Sequence, residues 1–373
     1  MPLRQIVAGQ TRLTHLSLTL EEPAPTDALH LSAVYKGMAS RLQSLDLRAL
    51  MPLTEAAATS LLQSLPTLGF VRALHMNGKY WGSEAGLTAL AATCPAVETL
   101  TVGELASELR SGAGAAAMFR LFPSLNTLAV GAPDEGSPGM FLPLLFVATM
   151  CAGRRFATLS LPGLVPGPDD SAAEPVQLAQ ALGNGNHTPE RLRLNGPVEA
   201  PMVAGLHDAP LSTLTALHLS DVRMLDKDAA VGLASLSGLA ALSLGGASAR
   251  KPLVLKEEVL ATLGPPNLRQ LHLKHVELVG AAGAALVAAM ARMSPQTLRH
   301  LSLTACIGEM SAAVYALVVV NSFQRLGLID LRVQVLTYKP ASRQNLYELV
   351  DAANSCQAAK AFAAAHRPDI AFY

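Results

Sequence analysis

At 373 residues the chain exceeds the usual span of one globular domain, which leaves two or three domains or one extended repeat array. Half of the residues are hydrophobic but only 4% are aromatic, and this favours an array over a compact enzyme, whose core and pocket draw on aromatic side chains. The 28 basic residues balance the 28 acidic ones, so no overall field attracts phosphate backbones and nucleic acid is excluded as a general partner.

In chain order, the first recognisable element is "LTHLSL" from Leu13, followed by "LQSLDL" from Leu42. Both follow the pattern apolar-x-x-apolar-x-apolar, whose alternation is that of a half-buried strand. The Ala/Leu-rich "EAAATSLLQSL" (55–65) then predicts a helix. The strand pattern returns with "VRALHM" from Val71, "VETLTV" from Val97 and "LNTLAV" from Leu125. A Pro/Gly-rich segment, "GAPDEGSPG" (131–139), predicts a loop. The apolar run "MFLPLLFVATM" (140–150) is too short to cross a hydrocarbon layer of roughly 30 Å and is interrupted by Pro143, so it predicts a buried helix and no membrane association. "FATLSL" from Phe156 is the next strand, and "PGLVPGPDDSAAEP" (162–175) and "GNGNHTPE" (183–190) predict loops.

A degenerate copy, "PERLRL" from Pro189, leads into "LTALHL" from Leu214 and a predicted helix, "DAAVGLASL" (228–236). "LAALSL" from Leu239 and "LRQLHL" from Leu268 follow, then the helical "AAGAALVAAMARM" (281–293), "LRHLSL" from Leu298 and "LGLIDL" from Leu326. The strand starts recur at a step of about 28 residues, one strand and one helix per unit. Residues 1–337 are therefore expected to form the repeat array. Residues 338–373 are expected to form a C-terminal cap of helical material with a short final strand at Ile370 to Tyr373, since the end of an array needs a cover.

The unit length and pattern resemble the leucine-rich repeat family, in particular its ribonuclease-inhibitor-like and cysteine-containing classes. The segment "GLTALAATCPAVETLTV" (86–102) carries the resemblance most closely, through Gly86, Leu87, Leu90, Cys94, Pro95, Val97 and Leu100. In physical terms Leu87 and Leu90 face inward from a helix, Cys94 closes it as a small buried residue, and Pro95 prevents continuation into the next strand. The resemblance implies an α/β solenoid or horseshoe of about 12 repeats, with a parallel sheet on the concave side and helices on the convex side. Many members place Asn or Cys three residues after the last strand leucine. Here those positions are Glu21, Leu50, Lys79, Leu105, Pro133, Leu164, Pro197, Val222, Ala247, Val276, Cys306 and Gln334, and none is Asn. The turn amides and carbonyls must therefore find partners elsewhere.

In such a fold the fourth and sixth motif residues enter the core, and the third, fifth and seventh face solvent. That mapping exposes His15, His75, His218, His272 and His300, with Asp46, Arg48, Arg191, Arg193, Lys274, Asp330 and Arg332 as the fixed charges. The candidate binding residues are His75, Arg191, Arg193, His218, His272, Lys274, His300 and Arg332, a mildly basic face that points to a protein or peptide partner of acidic character. Arg191 and Arg193 alternate on one strand as an anion grip. The simpler account of the same residues is that water-covered positions are polar. The middle repeats carry only Thr, Ala, Ser, Gly and Pro at these positions.

Neither a P-loop, a GxSxG elbow, an HExxH helix nor a CxxC pair is present, so the chain is expected to be no enzyme and to use no cofactor or metal. The acidic pairs Glu21-Glu22, Asp169-Asp170 and Glu257-Glu258 are explained by solvation or by a helix start. Cys94, Cys151, Cys306 and Cys356 are scattered and form no disulfide framework, which predicts a reducing compartment. The N-terminal stretch has no continuous apolar region of the secretory kind, and a cytoplasmic location is expected. The expected function is a protein-interaction scaffold. The alternatives are a structural subunit of a large assembly, whose neighbours cover the apolar helices, or the substrate-recognition arm of a ubiquitin ligase acting with a separate F-box partner. A GTPase activator is a further alternative without a diagnostic residue.

Overall fold

The computed structural model describes residues 13–20, 39–49, 59–60, 62–63, 65–77, 82–131, 141–165, 182, 187–204, 206, 211–248, 250–278, 300–304, 307–308, 328–332 and 371–372. The chain divides into two compact units, one of residues 1–169 with 184–189 and one of residues 170–183 with 190–373.

The first unit contains β1 (His15–Leu20), β2 (Ser44–Ala49), β3 (Ala73–Asn77), β4 (Thr99–Val102), β5 (Thr127–Val130), β6 (Phe141–Pro143), β7 (Thr158–Leu161) and β8 (Gly163–Val165). Strands β1, β2, β3, β4, β5 and β7 lie side by side in that order, each parallel to the next, while β6 and β8 pair apart from them. Parallel neighbours need a crossover of a dozen or more residues. The spacing of the motif supplies it, with α1 (Glu84–Thr93), α2 (Gly112–Leu121) and α3 (Leu144–Gly153) among the crossovers.

The second unit contains β9 (Arg191–Val198), β10 (Ala216–Val222), β11 (Ala241–Gly245), β12 (Leu253–Leu255), β13 (Gln270–Lys274), β14 (Val276–Leu278), β15 (His300–Thr304), β16 (Ile307–Gly308), β17 (Leu328–Arg332) and β18 (Ala371–Phe372). Its main sheet runs β9, β10, β11, β13, β15, β17, β18, and β12, β14 and β16 form a second parallel sheet. The described helices are α4 (Ala200–Ala204), α5 (Lys227–Ala234) and α6 (Glu257–Thr262).

Register explains why the motif repeats as it does. The fourth motif residues stack as a ladder, Leu16 on Leu45, Leu45 on Leu74, Leu74 on Leu100, Leu100 on Leu128 and Leu128 on Leu159. In the second unit the same position stacks Leu192, Leu217, Leu242, Leu271, Leu301 and Ile329. The sixth position makes a parallel ladder from Leu194 through Leu219, Leu244, Leu273 and Leu303 to Leu331. Leu45, Leu74, Leu100, Leu128, Leu159, Leu192, Leu217, Leu242 and Leu271 are all buried. Each repeat thus covers its neighbour's apolar row, and the array acquires a continuous core.

Among the described residues, backbone pairing serves the turns where a side-chain amide is missing. At the strand starts a single carbonyl accepts two amides of the next repeat. The Thr14 carbonyl takes Gln43 and Ser44, the Arg72 carbonyl takes Glu98 and Thr99, and the Glu98 carbonyl takes Asn126 and Thr127. Glu190, Thr215 and Ala240 do the same in the second unit. Beyond the strand ends, the positions where Asn is expected join further ladders. Leu164 lies within β8, Val276 opens β14, Pro197 and Val222 extend β9 and β10, and Leu105 bridges to Gly82. Peptide groups therefore pair with peptide groups, and apolar residues are tolerated where a side-chain amide is otherwise required. After β5 the chain turns at Gly131 with φ 100, which glycine adopts without steric cost.

The structure corrects several expectations. Residues 140–150 were expected to be one helix, but Phe141–Pro143 is strand β6 and α3 begins at Leu144, because Pro143 lacks an amide for the helix interior yet suits its N-cap. The 162–175 segment was expected to be a loop, but Gly163–Val165 pairs with Phe141–Pro143, two apolar triplets that find each other only in three dimensions. The helix expected at 228–236 runs from Lys227 to Ala234. The final strand is Ala371–Phe372, paired with Leu328 and Ile329. The helices expected at 281–293 and within 338–370 lie outside the described residues. Of 55–65, residues 59, 60, 62 and 63 are helical.

Candidate functional site

Alternation holds on the strands that carry the candidate residues. In β4, β5 and β7 the third and fifth motif residues are half-buried while the fourth and sixth are buried, and β9 shows Arg191 and Arg193 exposed around a buried Leu192. His218 and His272 are half-buried, Lys274 is exposed and His300 is half-buried. Three mapped positions depart from the expectation. Gly245 and Pro162, both seventh residues, are buried, and so is Ser302. At Gly245 the neighbouring backbone closes in, and a Cβ there would stand 2.9 Å from the Lys274 carbonyl oxygen.

The eight candidate residues do not form one cluster. His75 belongs to the first unit, where its Nδ1 lies 2.9 Å from Thr101 Oγ1 on the next strand. Close by in register, Asp46 accepts from Ser17 and is bridged by Arg48 at 3.0 Å, so that acid and base neutralise one another. The remaining seven belong to the second unit, and of Arg332 only the backbone is described, as a residue of β17 beside Thr304.

Two registered rows order the second unit's face. One runs Arg191, Ala216, Ala241, Gln270, His300, and the other Arg193, His218, Ser243, His272, Ser302. Strand β11 contributes only Ala241, Ser243 and Gly245 to this side, so the sheet is low along its line. His218 stands on one flank, and Gln270, His272 and Lys274 stand on the other, two strand spacings or roughly 10 Å apart. The result is a furrow. His272 and His300 meet edge to face with ring centroids 4.6 Å apart at its far side. Arg193 Nε donates to Asn195 Oδ1 two residues on, at 2.7 Å.

His218 is held neutral. Burial, with Arg193, His272 and Lys274 around it, lowers its pKa to about 4. His218, expected as part of a basic face, therefore adds no charge to it at neutral pH. The positive charge of that face is instead supplied by the neighbouring Arg191, Arg193 and Lys274. Among the described residues no group of three or more His, Cys, Asp or Glu side chains is placed to hold a metal ion. The small residues of β11 are visible in "ALSLG" but become meaningful only once β10 and β13 stand on either side.

The consecutive parallel strands, the leucine ladders in register and the recurring motif decide the architecture. The fold is a leucine-rich repeat fold. No protein-family model matches the sequence, and no curated protein is similar to it. Among solved structures it is similar to an internalin (inlF) from Listeria monocytogenes, with a TM-score of 0.42 and 13% identity over 89% of this chain and 94% of that chain. It is also similar to the leucine-rich repeat-containing protein LegL7 from Legionella pneumophila, with a TM-score of 0.42 and 14% identity over 90% of this chain and 98% of that chain. The leucine-rich repeat assignment is carried by the ladders of this chain itself. No helix among the described residues is long and apolar enough to cross a membrane.

Proposed function

We propose that this leucine-rich repeat chain is a non-catalytic scaffold that binds an acidic polypeptide partner on the solvent face of its second sheet. The observation that supports this reading is the furrow over β11, floored by Ala241 and Ser243 and walled by His218 and His272, with exposed Lys274 at its β13 side and exposed Arg191 and Arg193 one strand beyond His218. A trough about two strands wide admits an extended chain, and basic flanks select and orient acidic ones. The cysteine-containing subclass, a cap at 338–373 and a reducing, cytoplasmic setting belong to the same proposal. Buried thiols at Cys94 and Cys151 suit such a setting.

A photo-reactive phenylalanine placed at Ser243 tests this reading against one placed at the exposed Val231 on α5. The expected outcome is an adduct with the partner from position 243 that disappears when Arg191 and Arg193 are both changed to Gln. Adducts from position 231 alone place the partner on the helices and overturn the reading.

A further inference from the structure

The furrow holds a half-buried imidazole among positive charges, and the geometry makes it more than a wall. In register, His218 is flanked on β9 by Arg193, with Arg191 two residues before it in the adjoining row, and on β11 by Ser243. Beyond that strand, β13 presents His272 and Lys274, and His300 on β15 touches His272. β10 itself carries Asp221, past Ser220, and β11 presents no titratable group to this face. The titratable and charged groups facing His218 across the sheet are therefore basic or imidazole.

We propose that the Arg193–His218 position is a proton-linked seat for a carboxylate of the acidic partner, in which Arg191 and Arg193 hold the carboxylate and His218 takes up a proton as it docks. The inference rests on the reading of this face as the docking surface. In the free protein the imidazole is neutral, with burial first and the neighbouring cations second as the causes, and its pKa is about 4. A carboxylate seated at Arg193 offsets that local positive charge and offers the imidazolium an acceptor. Both changes favour the protonated form. A group whose pKa is higher in the complex than in the free protein binds a proton on association, so affinity rises as pH falls. Carboxylates of Asp and Glu remain largely ionised down to about pH 5, so the partner keeps its charge across the window in which the imidazole gains its own.

The test uses the full chain and a ten-residue polyglutamate peptide, with polyglutamine of equal length as the control. The His218 ring is followed by NMR through a pH titration, its resonance assigned by its loss in His218→Gln. The expected result is a His218 midpoint that moves up by about 2.5 pH units with saturating polyglutamate, and with it about tenfold tighter binding at pH 5.5 than at 7.5. That gain is smaller in His218→Gln. A midpoint unmoved by bound peptide, with binding still weakened by Arg193→Gln, overturns the proton linkage and leaves the docking surface standing. Equal binding of polyglutamine, or binding indifferent to Arg191→Gln with Arg193→Gln, overturns the docking surface and the linkage with it. Arg193 is exposed, so its variant keeps the test readable if the His218 variant does not fold.

Discussion

Cys94 sits at the C-terminus of α1 with its amide donating to the Leu90 carbonyl at 2.7 Å, and burial pushes its thiol up to about 12. Cys151 is in the same condition on α3. Thiol reagents at pH 8 are therefore expected to leave both unlabelled in the folded chain and to label them after denaturation, which mass spectrometry of the corresponding peptides checks. His218 makes stability depend on pH. Between about pH 6.5 and the folded value of about 4, the unfolded chain binds a proton that the folded chain refuses. Stability supplied by this site is complete above pH 6.5 and is lost as pH falls through that window, by about 3 kcal/mol in all. Urea titrations from pH 4 to 7 on wild type and His218→Gln should show the slope shrinking in the variant. Leu217→Ala or Leu271→Ala should cost roughly 2 to 5 kcal/mol, while Ser243→Ala on the solvent side stays within about 0.5 kcal/mol. Equal losses in denaturant midpoint mean that the strands are read in the wrong register.

The described helices are short, and α1, α2 and α5 begin at capping side chains the sequence displays openly. Ser83 accepts from Gly86 N at 3.1 Å, Ser111 from Gly114 N at 3.1 Å and Asp226 from Ala229 N at 2.8 Å. Asp226→Ala should cost about 1 kcal/mol, read as a shift in the thermal midpoint. Glycine inside a helix is ordinarily a defect worth about 1 kcal/mol against alanine. Gly232 in α5 is an exception, since a Cβ there would lie 2.6 Å from the Val203 carbonyl oxygen at α4. Gly232→Ala is thus expected to lower the midpoint despite the gain in propensity; a raised midpoint shows that α4 and α5 can separate freely. Strand and helix positions were legible because periodicity and capping are local. The pairing of β6 with β8 and of β12 with β14 was not, because three-residue strands carry too little pattern and exist only where a neighbour supplies hydrogen bonds.

Each unit is a stack whose members bury their apolar rows only against adjacent repeats. Damage to one leucine ladder should accordingly spread by nearest neighbours. Hydrogen exchange on Leu128→Ala is expected to lose protection first in β4, β5 and β7, and last in β1; uniform loss across the first unit indicates all-or-none unfolding instead. The candidate site follows the same logic. His75 was grouped with Arg191, Arg193, His218, His272, Lys274, His300 and Arg332 because all occupy solvent positions of one motif, yet it belongs to the other unit.

The sequence alone determined the repeat, the inward face of each strand and the solvent face that bears Arg191, Arg193, His272 and Lys274. These follow from a period, and a period is a property of consecutive residues. Only the tertiary structure decided that peptide ladders replace the missing asparagines, that β11 is the floor of a furrow, and that His218 is neutral within it. Those outcomes depend on which strands stand side by side and on how much water they exclude, and both arise from contacts between residues about one repeat apart.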